Sequence, residues 1–159
     1  MNPLICILIT LTIFFTMEFV AWATHKYVMH GFLWIWHEDH HIPGKSFFEK
    51  NDYFFLIFAV PSFFLFLFGT LGGINYLFFV GLGIFIYGMA YFTVHDIFIH
   101  QRFNLFKKTT HPYLLAIRRA HKMHHKHIQK EDGECFGMLL VPWKYFRDAL
   151  KEQKRLQEA

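Results

Sequence analysis

The middle of the chain lacks charged side chains altogether. Residues 53–94 contain no Asp, Glu, Lys, Arg or His over 42 consecutive positions. This run is too long for one membrane-spanning helix and suits two spans of roughly 20 residues each. The whole chain of 159 residues is 54% hydrophobic and only 18% charged. A composition this rich in apolar residues and this poor in charged residues excludes an ordinary soluble domain.

Basic residues near the start and cysteines throughout are also scarce. No Lys or Arg precedes Lys26, and the two cysteines, Cys6 and Cys135, form no CxxC motif. The low cysteine count excludes a disulfide scaffold, and free thiols fit a reducing compartment. A cleaved signal peptide needs basic residues before its apolar run and a small-residue cleavage site after it. Neither occurs, so we expect residues 3–24, interrupted only by Glu18, to form a transmembrane helix.

The apolar runs predict three spans, at about 3–24, 53–70 and 74–94. The glycines between Gly69 and Gly73 supply a turn between the last two. The ends of the first and third spans then lie on the same side of the membrane. All sixteen Lys and Arg residues fall in the segments on that side. The excess of positive charge predicts that this side faces the cytoplasm.

Ten of the twelve histidines lie in four clusters near the predicted ends of spans. Two clusters are pairs spaced by five residues, and two are triplets of the pattern HxxHH. The pairs are His25 and His30, and His95 and His100; the triplets are His37, His40 and His41, and His121, His124 and His125. Triplet spacing places three imidazoles on one helical face. Residues five apart differ by about 140° on an α-helix, so we expect each pair where a helix ends or bends, as Gly31 would permit.

The repeated order of pair and triplet predicts a metal site rather than a chance surface cluster. Each half of the chain supplies five histidines, and a tetrahedral zinc site takes four ligands at most. Ten ligands therefore imply two metal ions. Imidazole suits iron, zinc, copper and nickel, so ligand type alone leaves the metal open.

The sequence also predicts roles for several residues around the clusters. Asp96 foremost, then Glu38 and Asp39, are expected to accept hydrogen bonds from the far ring nitrogens. Asp52 is expected to cap the second span. The ionisable Glu18 is a functional candidate within a span. His111 and His127 are expected to be surface or helix-start residues, and the amphipathic stretch 143–156 to lie on the membrane surface or in solvent.

The same motifs resemble those of the bacterial-type carotene hydroxylases within the fatty acid hydroxylase and sterol desaturase superfamily. The resemblance runs from about Met17 to Phe146. It includes the segments HKYVMHG at 25–31, WHEDHH at 36–41, FEKND at 48–52, YFTVHD at 91–96, AHKMHHK at 120–126 and FGMLLVPWKY at 136–145. The histidine clusters alone indicate the superfamily, whereas the linking segments indicate the subfamily.

The resemblance implies a non-haem di-iron monooxygenase that hydroxylates β-ionone rings of carotenoids with molecular oxygen. It implies ten iron ligands: His25, His30, His37, His40, His41, His95, His100, His121, His124 and His125. It also implies that a ferredoxin-type donor supplies the electrons, and the absence of a GxGxxG fingerprint fits an external reductant. Zinc can replace iron that is lost during purification. No catalytic residue beyond the ligands is implied.

The expected fold is all-α and integral to the membrane. It has three or four transmembrane helices under a cytoplasmic, histidine-rich cap with two metals, as one domain over 1–159. The absence of a transit peptide favours a bacterial cell membrane, and no nucleic-acid-binding motif occurs. One alternative is a related oxygenase that acts on a lipid or sterol. A metal transporter is the other alternative, although transporter ligands usually lie near the bilayer midplane.

Overall fold

The computed structural model describes residues 1–42, 46–103, 105–106, 108–128, 131 and 133–158, without the side chains of 156 and 157. All regular structure in these ranges is helical. The α-helices are α1 (Pro3–Ala23), α2 (Trp34–His41), α3 (Tyr53–Thr70), α4 (Tyr76–Phe92), α5 (Pro112–His124) and α6 (Trp143–Glu158). Two π-helical segments, Thr24–Phe32 and Thr93–Ile99, follow α1 and α4, and a 3₁₀ turn at Lys50–Asp52 precedes α3.

Three helical stretches are long and apolar enough to cross a membrane. They are Pro3–Phe32, Lys50–Thr70 and Tyr76–Ile99. The number of spans agrees with the sequence prediction, and α3 has the predicted bounds. Large side chains such as Phe15, Phe63 and Phe85 are at least half exposed along these helices. A protein surface this apolar is suited to contact with lipid.

The second and third spans form a tight antiparallel hairpin. Gly72 and Gly73 adopt φ values of 75° and 113° in the turn, a region in which L side chains are strained. Gly69 lies so close to α4 that a Cβ atom there would be 2.3 Å from the backbone nitrogen of Phe78. The predicted glycine-rich turn is therefore confirmed, and it brings the ends of α3 and α4 into direct contact.

The first span runs parallel to the third. The Thr10 hydroxyl lies 3.4 Å from the Phe79 carbonyl oxygen, the Phe14 and Tyr87 rings are 5.7 Å apart, and Glu18 accepts a hydrogen bond from Tyr87. Residue numbers thus rise together along α1 and α4. The carboxyl ends of both helices lie on one side, where the π-helical segments carry the two histidine pairs.

Close contact between α1 and α4 depends on a small residue at position 83. A Cβ atom on Gly83 would lie 2.7 Å from the Ile13 Cβ and 2.8 Å from the Thr10 carbonyl oxygen. We expect Gly83→Ala to lower the free energy of unfolding by about 1–3 kcal/mol, because overpacking forces helices apart. Thermal unfolding in detergent would measure it.

Gly88, in the same helix, is a matched control. A Cβ atom there meets nothing within 4 Å, so Gly88→Ala should leave stability unchanged or raise it slightly through helix propensity. Equal destabilisation by the two changes would contradict this packing of α1 on α4.

The last two helices pack against each other beside the spans. Ala116 and Ala120 of α5 and Tyr145 and Ala149 of α6 form a buried apolar cluster. Part of the apolar side of α6, including Tyr145 and Ala149, is thus covered by α5. We predicted either a membrane surface or solvent for this stretch, and neither prediction included this packing. The hydrophobic periodicity of α6 was visible in the sequence, but its partner was not.

Candidate metal centre

Nine of the ten clustered histidines assemble into two compact groups. In each group, one nitrogen from every ring lies within 4.8 Å of those from the others. The five-histidine group consists of His25, His30, His37, His41 and His124, and the four-histidine group of His40, His95, His100 and His121. His125 lies beside the second group, with its Nε2 2.8 Å from the Nε2 of His121. All ten predicted positions therefore meet at one end of the spans.

The groups follow the two halves of the chain, with one histidine exchanged in each direction. His40 comes from the first half and joins the second-half histidines, whereas His124 does the reverse. The rings of His41 and His125 stack across the boundary with centroids 4.4 Å apart. Each HxxHH triplet thus contributes to both groups. The sequence predicted five histidines from each half of the chain, but it did not predict this exchange.

The histidine pairs owe their placement to the π-helical segments. Residues five apart diverge on an α-helix, but hydrogen bonding from residue i to i+5 brings them almost above one another. The amide of His100 donates to the carbonyl of His95 at 2.9 Å, so the two histidines of the second pair are themselves joined by such a hydrogen bond. The segment with His25 and His30 departs from helical angles at Gly31. The predicted bend at Gly31 is present, and the π-helical turns ahead of it were not predicted.

Hydrogen bonds at Nδ1 orient six of these rings. Each of the six Nδ1 atoms lies 2.6–3.1 Å from an oxygen acceptor. The pairs are His25 with Phe136 O, His30 with Ile128 O, His37 with Asn51 Oδ1, His40 with Glu49 Oε2, His95 with Asp96 Oδ2, and His124 with Glu134 O. Donation from Nδ1 fixes the tautomer and leaves the Nε2 lone pair for a metal ion.

The Nε2 atoms themselves converge in close contacts. They are 3.0 Å apart between His25 and His37 and 3.0 Å apart between His40 and His95. Two unprotonated nitrogens repel at this distance unless a cation lies between them. Two ligands at about 2.1 Å from one metal ion, at nearly a right angle, would be about 3 Å apart. The donor set therefore fits two bound metal ions.

Burial keeps these imidazoles in the neutral, ligating form. Burial, together with the neighbouring imidazoles, lowers the pKa of His125 to about 4 and that of His37 to about 3. It also lowers the pKa of His100 and of His124 to about 2. Near neutral pH, a proton on His37 is therefore a poor candidate for the cation between its Nε2 and that of His25.

These pKa values predict a loss of stability in mild acid. Folded His125 and His37 stay neutral below the ordinary histidine pKa of 6.5, whereas the unfolded chain takes up protons there. Because the unfolded state binds more protons, the free energy of unfolding should fall as pH falls from 6.5 toward 4. Thermal midpoints between pH 8 and 5 would measure this. His111→Ala, a change at an exposed position, should leave the slope intact, and a flat profile in the wild type would contradict the prediction.

The oxygen partners of the two groups differ in charge. The four-histidine group is supported by the carboxylates of Asp96 and Glu49, and the guanidinium of Arg102 pairs with both, at 3.3 and 2.8 Å. Arg102 also pairs with Asp52 at 2.8 Å. The five-histidine group is instead supported by main-chain carbonyls and one amide side chain. These anionic partners would partly balance the positive charge of a metal ion bound by the four-histidine group.

The structure separates the predicted supporting residues from the others. Asp96 makes the expected contact with a histidine. Asp39 instead accepts from the Lys50 amide at 2.6 Å. Asp52 is at the start of α3, but its carboxylate accepts from the Glu49 amide rather than from a helix amide. Asp52 therefore occupies the predicted N-cap position of α3, but it forms no side-chain capping bond because the 3₁₀ turn before α3 engages its carboxylate.

Sequence reasoning missed several partners of the histidines. Glu49 and Asn51 lie in the FEKND segment, which was noticed only for its resemblance. The main-chain carbonyls of Ile128, Glu134 and Phe136 carry no sequence signal at all. In the described part of the chain, His111 precedes α5 at an exposed position and His127 belongs to neither histidine group.

The fold and the site together define a multi-span helical membrane protein with a histidine-rich centre suited to two metal ions. The sequence model of the fatty acid hydroxylase family matches residues 10–148, a range that includes all ten clustered histidines. The chain belongs to the fatty acid hydroxylase family.

Individual curated relatives show a more specific similarity than the family match. The chain is 40% identical to the "Beta-carotene hydroxylase" of Pseudescherichia vulneris, over 87% of this chain and 76% of that protein. It is 41% identical to the protein of the same name from Pantoea ananas, over 79% of this chain and 71% of that protein. "Beta-carotene 3-hydroxylase 2, chloroplastic" of Arabidopsis thaliana is 40% identical over 79% of this chain and 42% of its own length. No solved structure matches significantly.

Proposed function

We propose that this protein is a β-carotene 3-hydroxylase that converts β-carotene through β-cryptoxanthin to zeaxanthin. The observation that carries the proposal is the similarity to bacterial β-carotene hydroxylases, over most of both chains, in a protein whose histidines form two metal-sized groups. The reaction inserts one oxygen atom of O₂ into a ring C–H bond and releases the other as water, consuming two electrons and two protons.

The metal ions are two irons, held by the five-histidine group and by the four-histidine group together with His125. Two bound irons supply the oxidising power, drawn from oxygen and external electrons, that an unactivated C–H bond requires. The chain's own contribution is to orient the ligands. Nδ1–H bonds to fixed oxygens hold the imidazoles, and burial keeps water from competing for the Nε2 atoms. We place these groups within one domain over 1–159.

The position of the histidines suits a substrate dissolved in the bilayer. Both pairs lie in π-helical segments at the ends of spans, where headgroups meet the hydrocarbon core. A rod-shaped carotenoid can extend across the roughly 30 Å core. Its terminal ring would then reach the level of the histidines. Metal transporters usually bind ions near the midplane instead, so this position does not favour transport.

The site faces the cytoplasm in our proposal, and the membrane is a bacterial cell membrane. The distribution of basic residues supports this orientation, because all of them lie in the segments on the histidine side. A ferredoxin-type protein donates the electrons. Lys122 lies within the second triplet and Lys126 directly follows it; both are exposed and offer positive charge to an acidic donor.

Conversion of β-carotene by membranes containing the protein tests the function. With oxygen and reduced ferredoxin, the expected products are β-cryptoxanthin first and zeaxanthin later. Membranes with His121→Ala at equal abundance provide the blank. Hydroxylation or desaturation of a fatty acyl chain or sterol, with β-carotene untouched, would contradict the proposal and favour another oxygenase of the family.

A further inference from the structure

The carboxylate of Glu18 is buried inside a membrane-spanning helix and is fully engaged. Its Oε1 accepts hydrogen bonds from three consecutive amides, those of Met138, Leu139 and Leu140, at 3.0, 2.9 and 2.9 Å. Its Oε2 accepts from the Tyr87 hydroxyl at 2.8 Å. Burying a carboxylate at this depth is costly. These four donors offset that cost and attach a distant part of the chain to α1.

The attached part, residues 133–142, also supports the histidines; we call it the clamp segment. Its Phe136 carbonyl accepts from His25 Nδ1 at 2.9 Å, and its Glu134 carbonyl accepts from His124 Nδ1 at 3.1 Å. The Phe136 ring packs edge-on against His30 with centroids 5.2 Å apart. All three histidines belong to the five-histidine group.

The clamp segment fits closely around the carboxylate. A Cβ atom added at Gly137 would lie 2.9 Å from the Glu18 Oε1, in the space that the three amides share. A side chain at position 137 would therefore push the carboxylate and the segment apart. Glycine at this position permits the close approach on which the amide contacts depend.

We propose that Glu18 is a positioning residue for the metal of the five-histidine group. By holding the clamp segment on α1, it keeps two carbonyl oxygens beside Nδ1 of His25 and His124, so that both Nε2 atoms point at the ion. Loss of such supporting partners typically weakens metal affinity by about 10- to 100-fold. The inference rests on the proposed function, since it requires that this group binds a metal.

The other group provides an internal reference. Its supporting carboxylates, Glu49 and Asp96, are tied to Arg102 and not to the clamp segment. A change at Glu18 should therefore release one metal ion and spare the other. A general loss of folding would instead release both.

The experiment measures iron per chain and its release to a chelator in anaerobically purified protein. Wild type should hold two ions, and Glu18→Leu should hold one. Ser62→Ala is the matched control: it removes another buried polar contact of the spans, the hydrogen bond to the Gly81 carbonyl at 3.0 Å, and should keep both ions.

Two milder variants cover the case in which Glu18→Leu does not fold. Glu18→Gln retains an acceptor oxygen but not the charge, and Gly137→Ala crowds the clamp; each should speed the release of one ion about tenfold or more.

Double variants identify which ion is lost. Glu18→Leu combined with His124→Ala should still hold one ion, because both changes affect the same group. The double variant of Glu18→Leu and His121→Ala should hold no ion, because each change affects a different group. Combining each milder variant with His124→Ala or with His121→Ala identifies in the same way which ion is released faster. Two ions with unchanged release kinetics in every Glu18 and Gly137 variant would overturn the inference, as would equal loss of both ions. A wild-type protein that binds no iron under these conditions would instead overturn the proposed function.

Discussion

Replacing His121 by alanine is expected to lower hydroxylation to below about 1% of the wild-type rate, because even partners of metal ligands cost 10- to 100-fold when removed. The His121 Nε2 lies 2.9 Å from that of His100 and 2.8 Å from that of His125. Its ring is buried at the centre of the four-histidine group. The variant should also hold one iron instead of two. Product formation from β-carotene and iron per chain would measure both effects.

His127→Ala is the matched control in the same segment. His127 is outside both histidine groups, and its backbone amide, which alanine retains, donates to the His124 carbonyl at 3.1 Å. Most of the activity and both irons should remain. Similar losses in the two variants would show that the division between ligands and neighbouring histidines is wrong.

Replacing Arg102 by methionine is the second change with a large expected effect. One guanidinium pairs with Glu49, Asp52 and Asp96, and its side chain is only 15% exposed. Burial raises the pKa of the Glu49 carboxyl while Arg102 acts to lower it, so removing the cation leaves mutually repelling carboxylates. We expect the free energy of unfolding to fall by about 3 kcal/mol, as when one partner of a buried ion pair is removed.

The same change should weaken metal binding at the four-histidine group. His40 and His95 depend on two of these carboxylates for their orientation. Iron bound there should leave to a chelator about 10- to 100-fold faster. The rate of iron release from Arg102→Lys should lie between those of the wild type and Arg102→Met, because an ammonium cannot reproduce the planar fork that engages several carboxylates.

A surface arginine sets the scale for this result. Arg119 pairs with Glu152 between α5 and α6, and both side chains are 38% exposed. Arg119→Met should cost no more than about 1 kcal/mol and leave metal release unchanged. If it destabilised the protein as much as Arg102→Met, the carboxylate network would not be the reason for the effect.

The spans and the histidine positions could be predicted from the sequence because their signals are local. An uncharged run fixes the hairpin at α3 and α4, and HxxHH fixes three rings on one helical face. The number of spans predicted that His25 and His95 lie on the same side of the membrane. Each of these inferences needs only helix geometry and the thickness of a bilayer.

The internal arrangement of the site could not be predicted in the same way. Hydrogen bonding from i to i+5 in the π-helical segments has no distinct residue signature, so the pairs appeared to diverge. The exchange of His40 and His124 between groups depends on how the two halves pack. Glu18 was predicted to be a functional candidate within a span, but most of its partners are main-chain amides 120 or more residues away, which no side-chain pattern reveals.

The proposed function depends on two irons held by ten histidines. The most direct test is anaerobic purification with iron, followed by metal analysis and turnover of β-carotene with reduced ferredoxin and oxygen in the same sample. We predict two irons per chain and zeaxanthin as the final product. The proposed function would be contradicted if protein kept in iron throughout purification held a single tightly bound zinc ion and formed no hydroxylated carotenoid.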